Sequence, residues 1–304
     1  MNIAAAQRPA AGTQNVDHVA HFVPDGTAAG VALEKLGFTL TPFSPQSHRL
    51  QPDGPPVPAG TGNRCVMLQE GYLEFLTPTG DTPVANQLRA AIDRYVGVHL
   101  IAFGTSAPDR DYARLAESGF QPLVPIALQR EISTPAGGDT ARFTVVRVPP
   151  GTMPEGRIQY CAHQTPQLVW QSRWLEHANA AVALQGVLLC VESPQAAAER
   201  YGRFTGIAPS AEGAAWRLDT ARGYLIFASA RQMARAFGIE PPALPWIAGY
   251  VLASSDLTRT RYALHRAGAT HAIIDGRSVV ALPGAIGGIA IFVPPGSAPL
   301  ALRA

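Results

Sequence analysis

The sequence has no basic run and no alternation of basic with aromatic residues, which argues against a nucleic-acid partner. Its formal net charge is only +2, with 24 Lys and Arg against 22 Asp and Glu. No apolar stretch is long enough to span a bilayer, so no membrane partner is expected. Cysteine is rare: Cys65, Cys161 and Cys190 are scattered and odd in number. That excludes a disulfide framework and fits a reducing cytoplasm. The opening "MNIAAAQRPAAGTQN" carries one Arg and no apolar core after it. It reads as a disordered leader over residues 1–14 and not as a signal peptide. Charged residues make up 15% of the chain and hydrophobic ones 47%, enough for buried cores and too apolar for a disordered protein.

What is present is a repeat. "VDHVAHFVPD" is a strand pattern ending in a turn, and "TAAGVALEKLGF" has apolar residues at helical spacing with a Gly stop. "FTLTPFS", "RCVMLQE" and "GYLEFLTP" follow as short β-rich runs. The same strand-helix-strand-strand-strand order recurs from "GVHLIAFGTS", from "GVLLCVESP" and from "AGYVLASSD". The internal helices start just after Asp, Ser or Pro, which suits an N-terminal cap. The expected fold is therefore α+β: four βαβββ modules, paired into two curled mixed-sheet domains with helices outside. The stretch "TPQLVWQSRWLEHANAA" reads as a packed linker. It places the domains at residues 15–176 and 177–304, with a ligand site in the hollow of a curl.

These phrases, with "GTGNRCVMLQEGYLEFL" and "HQTPQLVWQ", resemble the vicinal oxygen chelate superfamily. That superfamily includes glyoxalase I, extradiol dioxygenases, and fosfomycin- and bleomycin-resistance proteins. The look is that of bacterial glyoxalase-like proteins, and it covers residues 15 to 295. The resemblance implies metal ligands from the first and last strands of paired modules. Carried over, His18 and His99 match the two first-strand ligands and Glu74 the last-strand ligand of module one. Setting "EFLTP" over "AHQTP" puts Ala162 at the fourth position. Gln159 and His163 lie nearby on the opposite strand face.

The residues bear on this independently. On a strand Tyr72, Glu74 and Leu76 share one face. An ionised Glu74 buried there needs a partner. Arg64 or Arg142 would serve as an ordinary ion-pair partner, and a divalent ion would serve equally. Two imidazoles and a carboxylate suit Fe, and Mn, Zn, Ni or Co also take such a set. His21, an odd number of residues from His18, belongs to the other face. "GTGNR" is a turn into a strand, or else presents Asn63 and Arg64 to a substrate. Arg130 and Arg142 sit in strands, where Arg grips a carboxylate or lies on a solvated face. Tyr72 and Gln159 complete the candidate substrate contacts.

In the second pair of modules "GYLIFA" replaces Glu74 by Ile226, and "GVLLCVESP" replaces His99 by Leu188. That half reads as a structural half, a lid or an oligomer surface, which leaves a homodimer open. The chain is expected to be a metal-dependent enzyme on a small oxygenated metabolite, a lyase, isomerase or dioxygenase with Glu74 as the catalytic group. The rival is a non-catalytic binding or resistance protein using the same cavity.

Overall fold

The computed structural model describes residues 3–49 and 56–302. After a short helix α1 (Ile3–Ala6), the first module is β1 (Asn15–Phe22), α2 (Gly26–Lys35), β2 (Ser44–Arg49), β3 (Pro56–Met67) and β4 (Tyr72–Pro78). Helix α3 (Pro83–Arg94) leads to the second: β5 (Gly97–Gly104), α4 (Pro108–Glu117), β6 (Leu123–Thr134), β7 (Gly137–Arg147) and β8 (Arg157–His163). A short α5 (Pro166–Val169) follows. The third module is β9 (Ala181–Cys190), α6 (Pro194–Thr205), β10 (Ser210–Glu212), β11 (Ala215–Asp219) and β12 (Tyr224–Ala228). Helix α7 (Ala230–Phe237) precedes the fourth: β13 (Trp246–Ser254), α8 (Leu257–Arg266), β14 (His271–Ile274), β15 (Arg277–Ala281) and β16 (Ile289–Val293). The βαβββ order thus occurs four times.

Local chemistry sets these elements. Asp25 caps α2 by accepting from the N–H groups of Thr27 and Ala28, and Asp256 caps α8 in the same way. Gly71 turns the chain into β4 with φ +74°, and a Cβ there would lie 2.8 Å from the Asp17 carbonyl oxygen. Only glycine allows that turn and that approach. The strand expected at "FTLTPFS" begins only at Ser44. Pro42 has no N–H for a ladder, while Phe38 and Leu40 are buried as anchors of the preceding loop.

In each half the first strands of two modules pair antiparallel, β1 with β5 and β9 with β13. The remaining strands spread outward, giving the orders β2-β3-β4-β1-β5-β8-β7-β6 and β10-β11-β12-β9-β13-β16-β15-β14. The two sets join through Ile247 opposite Val98. The largest apolar cluster lies on their outer faces and takes residues from both halves, including Val19, Ile101, Leu189 and Tyr250, with Leu33, Phe204 and Leu264 from the helices. Each such side chain contributes about 1.5–3 kcal/mol of burial.

The disordered leader is corrected for residues 3–14; residues 1–2 lie outside the described residues. Gln7 is buried; its amide donates to the Gln69 carbonyl at 2.7 Å and accepts from the Gly71 N–H. Arg8 donates to the carbonyls of His163 and Gln164, and Ala4 packs in a cluster with Trp170. The segment supplies partners that a turn and a strand end would otherwise lack.

Candidate functional site

A cavity of about 280 Å³ opens inside the curl of the first half. Two rows of residues, read straight across the strands, run beneath it and carry part of its lining. One row is Tyr72 on β4, His18 on β1, Ala102 on β5, Gln159 on β8 and Arg147 on β7. The next is Cys65 on β3, Glu74, Ala20, Leu100 and Arg157. Small or apolar residues make the middle of each row, and polar ones face each other from the sides.

Two bulges decide what faces inward. Val16 pairs with Phe103 and His18 with Ala102, so Asp17 is an extra residue in β1. Ala20 pairs with Leu100 and His21 with Val98, so His99 is an extra residue in β5. A bulge re-aims side chains and breaks strict alternation. The first bulge brings the Asp17 carboxylate to its own neighbour. His18 Nδ1–H donates to Asp17 Oδ2 at 2.6 Å, and His163 Nε2–H donates to the same oxygen at 2.9 Å. Burial alone would raise the Asp17 pKa. The two imidazoles outweigh it, His163 more than His18, and hold it well below the usual carboxylate range.

With Nδ1 held, His18 presents Nε2 to the cavity, its ring stacked on Tyr72 at 4.3 Å between centroids. Glu74 is pinned in a parallel way. Asn63 Nδ2 donates to Glu74 Oε1, and Asn63 Oδ1 accepts from Arg130 at 3.1 Å. The remaining atoms, His18 Nε2 and Glu74 Oε2, face each other at 3.9 Å. That is too long for a hydrogen bond. It lies within the span of two bonds of about 2.0–2.2 Å to one ion. Burial first, then the Asp17 charge, push the Tyr72 phenol well above its ordinary pKa, so it stays neutral.

His18, Asn63, Tyr72, Glu74 and Gln159 therefore line one cavity. Three expected positions do not. His99 is turned aside by its bulge; its ring stacks between Tyr95 and Phe22, and Nε2–H donates to the Tyr95 carbonyl at 2.8 Å. Burial pushes it down to a pKa of about 4, so it is a neutral interior imidazole. Its neighbour Leu100 takes the inward place and offers no lone pair. Arg64 follows Asn63 on β3 and points the other way, toward α2 at Gly30. Arg142 is exposed. The inward face of β8 is Arg157, Gln159 and Cys161, so the position opposite Glu74 belongs to that set and not to Ala162.

Sequence reasoning missed Asp17, Arg147 and Arg157. The i, i+2 spacing of Arg157 and Gln159 was the available signal for one of them. Among the described residues, the one trio of His, Cys, Asp or Glu with donor atoms all within 4.8 Å of one another is Asp17, Cys161 and His163. Burial, then the Asp17 charge, push the Cys161 thiol well above its ordinary pKa. Asp17 Oδ2 already accepts from two imidazoles. Such a trio braces His18 better than it offers three free donors.

A family profile described as "Glyoxalase-like domain" matches residues 16–205. No curated protein sequence matches the chain. Among solved structures, a hypothetical protein from Staphylococcus aureus aligns over 92% of this chain and 99% of its own, with TM-score 0.62 and 10% identity. A mutant of 4-hydroxymandelate synthase from Streptomyces coelicolor aligns over 95% of each chain, with TM-score 0.55 and 14% identity. A xylose isomerase-like TIM barrel/4-hydroxyphenylpyruvate dioxygenase fusion protein covers 96% of this chain and 51% of its own, with TM-score 0.55 and 12% identity. Identities this low establish a shared fold. No helix among the described residues is long and apolar enough to cross a membrane.

Proposed function

This chain belongs to the glyoxalase-like domain family of the vicinal oxygen chelate superfamily, and from that premise we propose that it is an enzyme acting on a small oxygenated metabolite at His18 and Glu74. The observation that carries this reading is the pair of free donor atoms at 3.9 Å, each backed by a partner on its other side. Ligand residues of metal sites are oriented by such outer contacts. His18 Nε2 and Glu74 Oε2 would hold a divalent ion of the Fe, Mn, Zn, Ni or Co class, with the Gln159 carboxamide on the same cavity wall. A bound ion would polarise a substrate oxygen as a Lewis acid.

The chain's own part is then defined. Asp17 fixes the His18 ring so that its free lone pair is Nε2. Asn63, itself held by Arg130, fixes the Glu74 carboxylate through Oε1 and leaves Oε2 facing the cavity, to hold the ion or, when released from it, to take and return a substrate proton. Tyr72 covers one face of His18, and Leu100, Leu128 and Val145 give the cavity an apolar lining. Dioxygen uptake during turnover separates a dioxygenation from a lyase or isomerase reaction. The three buried free thiols fit a reducing compartment.

Leu100 in the inward place expected of His99 favours one rival, a metal-free binding protein. Elemental analysis of the purified chain decides between them. About one divalent ion per chain, lost in His18→Ala and Glu74→Gln, supports the enzyme. A metal-free parent, or variants that keep the metal, favours the binder.

A further inference from the structure

Among the described residues, three guanidinium groups, Arg130, Arg147 and Arg157, and one carboxylate, Glu74, line the cavity. Arg130 is accounted for by Asn63. The other two are not. Among the described residues no carboxylate pairs with Arg147 or Arg157, and the Arg147 side chain makes no hydrogen bond; its Nε is buried without a partner. Arg157 has one long contact, 3.4 Å to the Gln87 carboxamide, and lies over the Phe22 ring. Burial, and then the charge of Arg147, push the Arg157 guanidinium down to about 10, with the Glu74 charge opposing them, and burial lowers Arg147 as well. Two like charges placed together in a partly dry pocket are costly for the fold alone. They sit on β7 and β8, across the floor from His18 on β1 and Glu74 on β4.

We propose that the cavity takes an anionic metabolite whose carboxylate or phosphate is gripped by Arg147 and Arg157 while its oxygenated end lies against His18 and Glu74. The inference rests on this cavity being the ligand site; it does not rest on a metal being there. The fork of a guanidinium matches an oxyanion with two parallel hydrogen bonds. It also explains the orphaned Nε of Arg147, which an oxyanion would satisfy. A ligand with its charge at one end would be delivered in one orientation.

The test is calorimetric titration of the protein as purified with benzoate, phenyl phosphate and benzamide. The expected result is an anion binding at least about 10-fold more tightly than benzamide, with Arg147→Met and Arg157→Met each weakening it by about 10–100-fold. Whichever of benzoate and phenyl phosphate binds more tightly identifies the oxyanion. Arg147→Lys, which keeps the charge and loses the fork, should bind between parent and Arg147→Met. Arg147→Met should melt at or above the parent, because the arginine it removes has no partner. Metal content, measured on the same samples, should be unchanged in the arginine variants. A metal-free parent that still prefers the anion leaves this inference standing and removes only the metal reading. Benzamide binding as well as the anions, no anion binding at millimolar concentration, or arginine variants that bind like the parent would overturn it. So would arginine variants that melt several degrees lower, since the two cations would then be serving the fold.

Discussion

The two halves of the molecule share one scaffold and fill it differently. In the first, a row across the sheet reads Glu74, Ala20, Leu100, Arg157. The corresponding row of the second reads Ile226, Leu188, Gly249, Ile289. The neighbouring row changes from Tyr72, His18, Ala102, Gln159 to Tyr224, Gly186, Val251, Ile291. Every polar group is exchanged for an apolar one or for none, except the tyrosine. That tyrosine shows how one hollow was closed. Tyr72 stacks on His18, whereas Tyr224 lies over Gly186, where a Cβ would come within 2.5 Å of its ring. The Tyr224 hydroxyl accepts from the Leu300 N–H. Leu300 and Leu302 of the C-terminal tail and Met233 of α7 then join the apolar cluster inside the second curl. The lesson is that the curl itself is indifferent to function. An open interior lined by polar and charged groups makes a site; the same interior plugged with leucine makes a core.

Exchanging single residues between the halves should break the comparison most. Ile226→Glu puts a carboxylate into an apolar cluster opposite Arg217, whose guanidinium is already paired with Glu212 and Asp219, and unfolding in urea should show a loss of about 3–5 kcal/mol. A loss below 1 kcal/mol would mean that the second hollow is wet. The reverse exchange, Glu74→Ile, should leave the urea midpoint close to that of the parent. Metal retention in dialysis should fall by about 100-fold or more, since a ligand is lost and not merely an outer contact.

The junction between the halves gives the next effect. His21 Nδ1–H donates to the Ile286 carbonyl at 3.0 Å, and its Nε2 faces the Tyr250 hydroxyl at 3.3 Å, so a residue of the first half is clamped by two of the second. Burial pushes its pKa down from 6.5 to about 4, with the nearby His99 adding to the effect and the Ile286 carbonyl opposing it. The folded state therefore binds this proton less readily than the unfolded state. The stability of neutral His21 is whole above pH 6.5 and is lost as pH falls toward 4. Urea unfolding at pH 7 and pH 4.5 should differ by about 2–3 kcal/mol from this residue, and His21→Gln should remove that part of the slope. An unchanged slope would show that His21 does not couple the halves. The smallest effect should come from the plug: Leu300→Ala should cost about 2 kcal/mol and admit a hydrophobic dye to the second hollow. Dye binding equal to that of the parent would argue against a tail that seals it.

Much of this contrast was written in the chain itself. The repeated strand-helix-strand order fixed four modules, because period-2 and period-3.6 patterns need no tertiary information to be seen. The exchange of Glu74 for Ile226 within one phrase already marked which half keeps its polar interior. His18, Tyr72 and Glu74 could be placed on one face because alternation holds along β4 and along β1 beyond Asp17; Gln159 faces the cavity although the phrase alignment gave that place to Ala162. Alternation failed at the two bulges. One extra residue in β5 turned His99 away from the cavity, onto Tyr95, and gave its place to Leu100; one extra residue in β1 brought Asp17 onto His18. A bulge is settled by how two strands register against each other, which no single strand encodes. The same holds for Arg147 and Arg157. Each looks like an ordinary strand arginine, and only the lateral pairing of β7, β8 and β5 sets them side by side across the floor from Glu74.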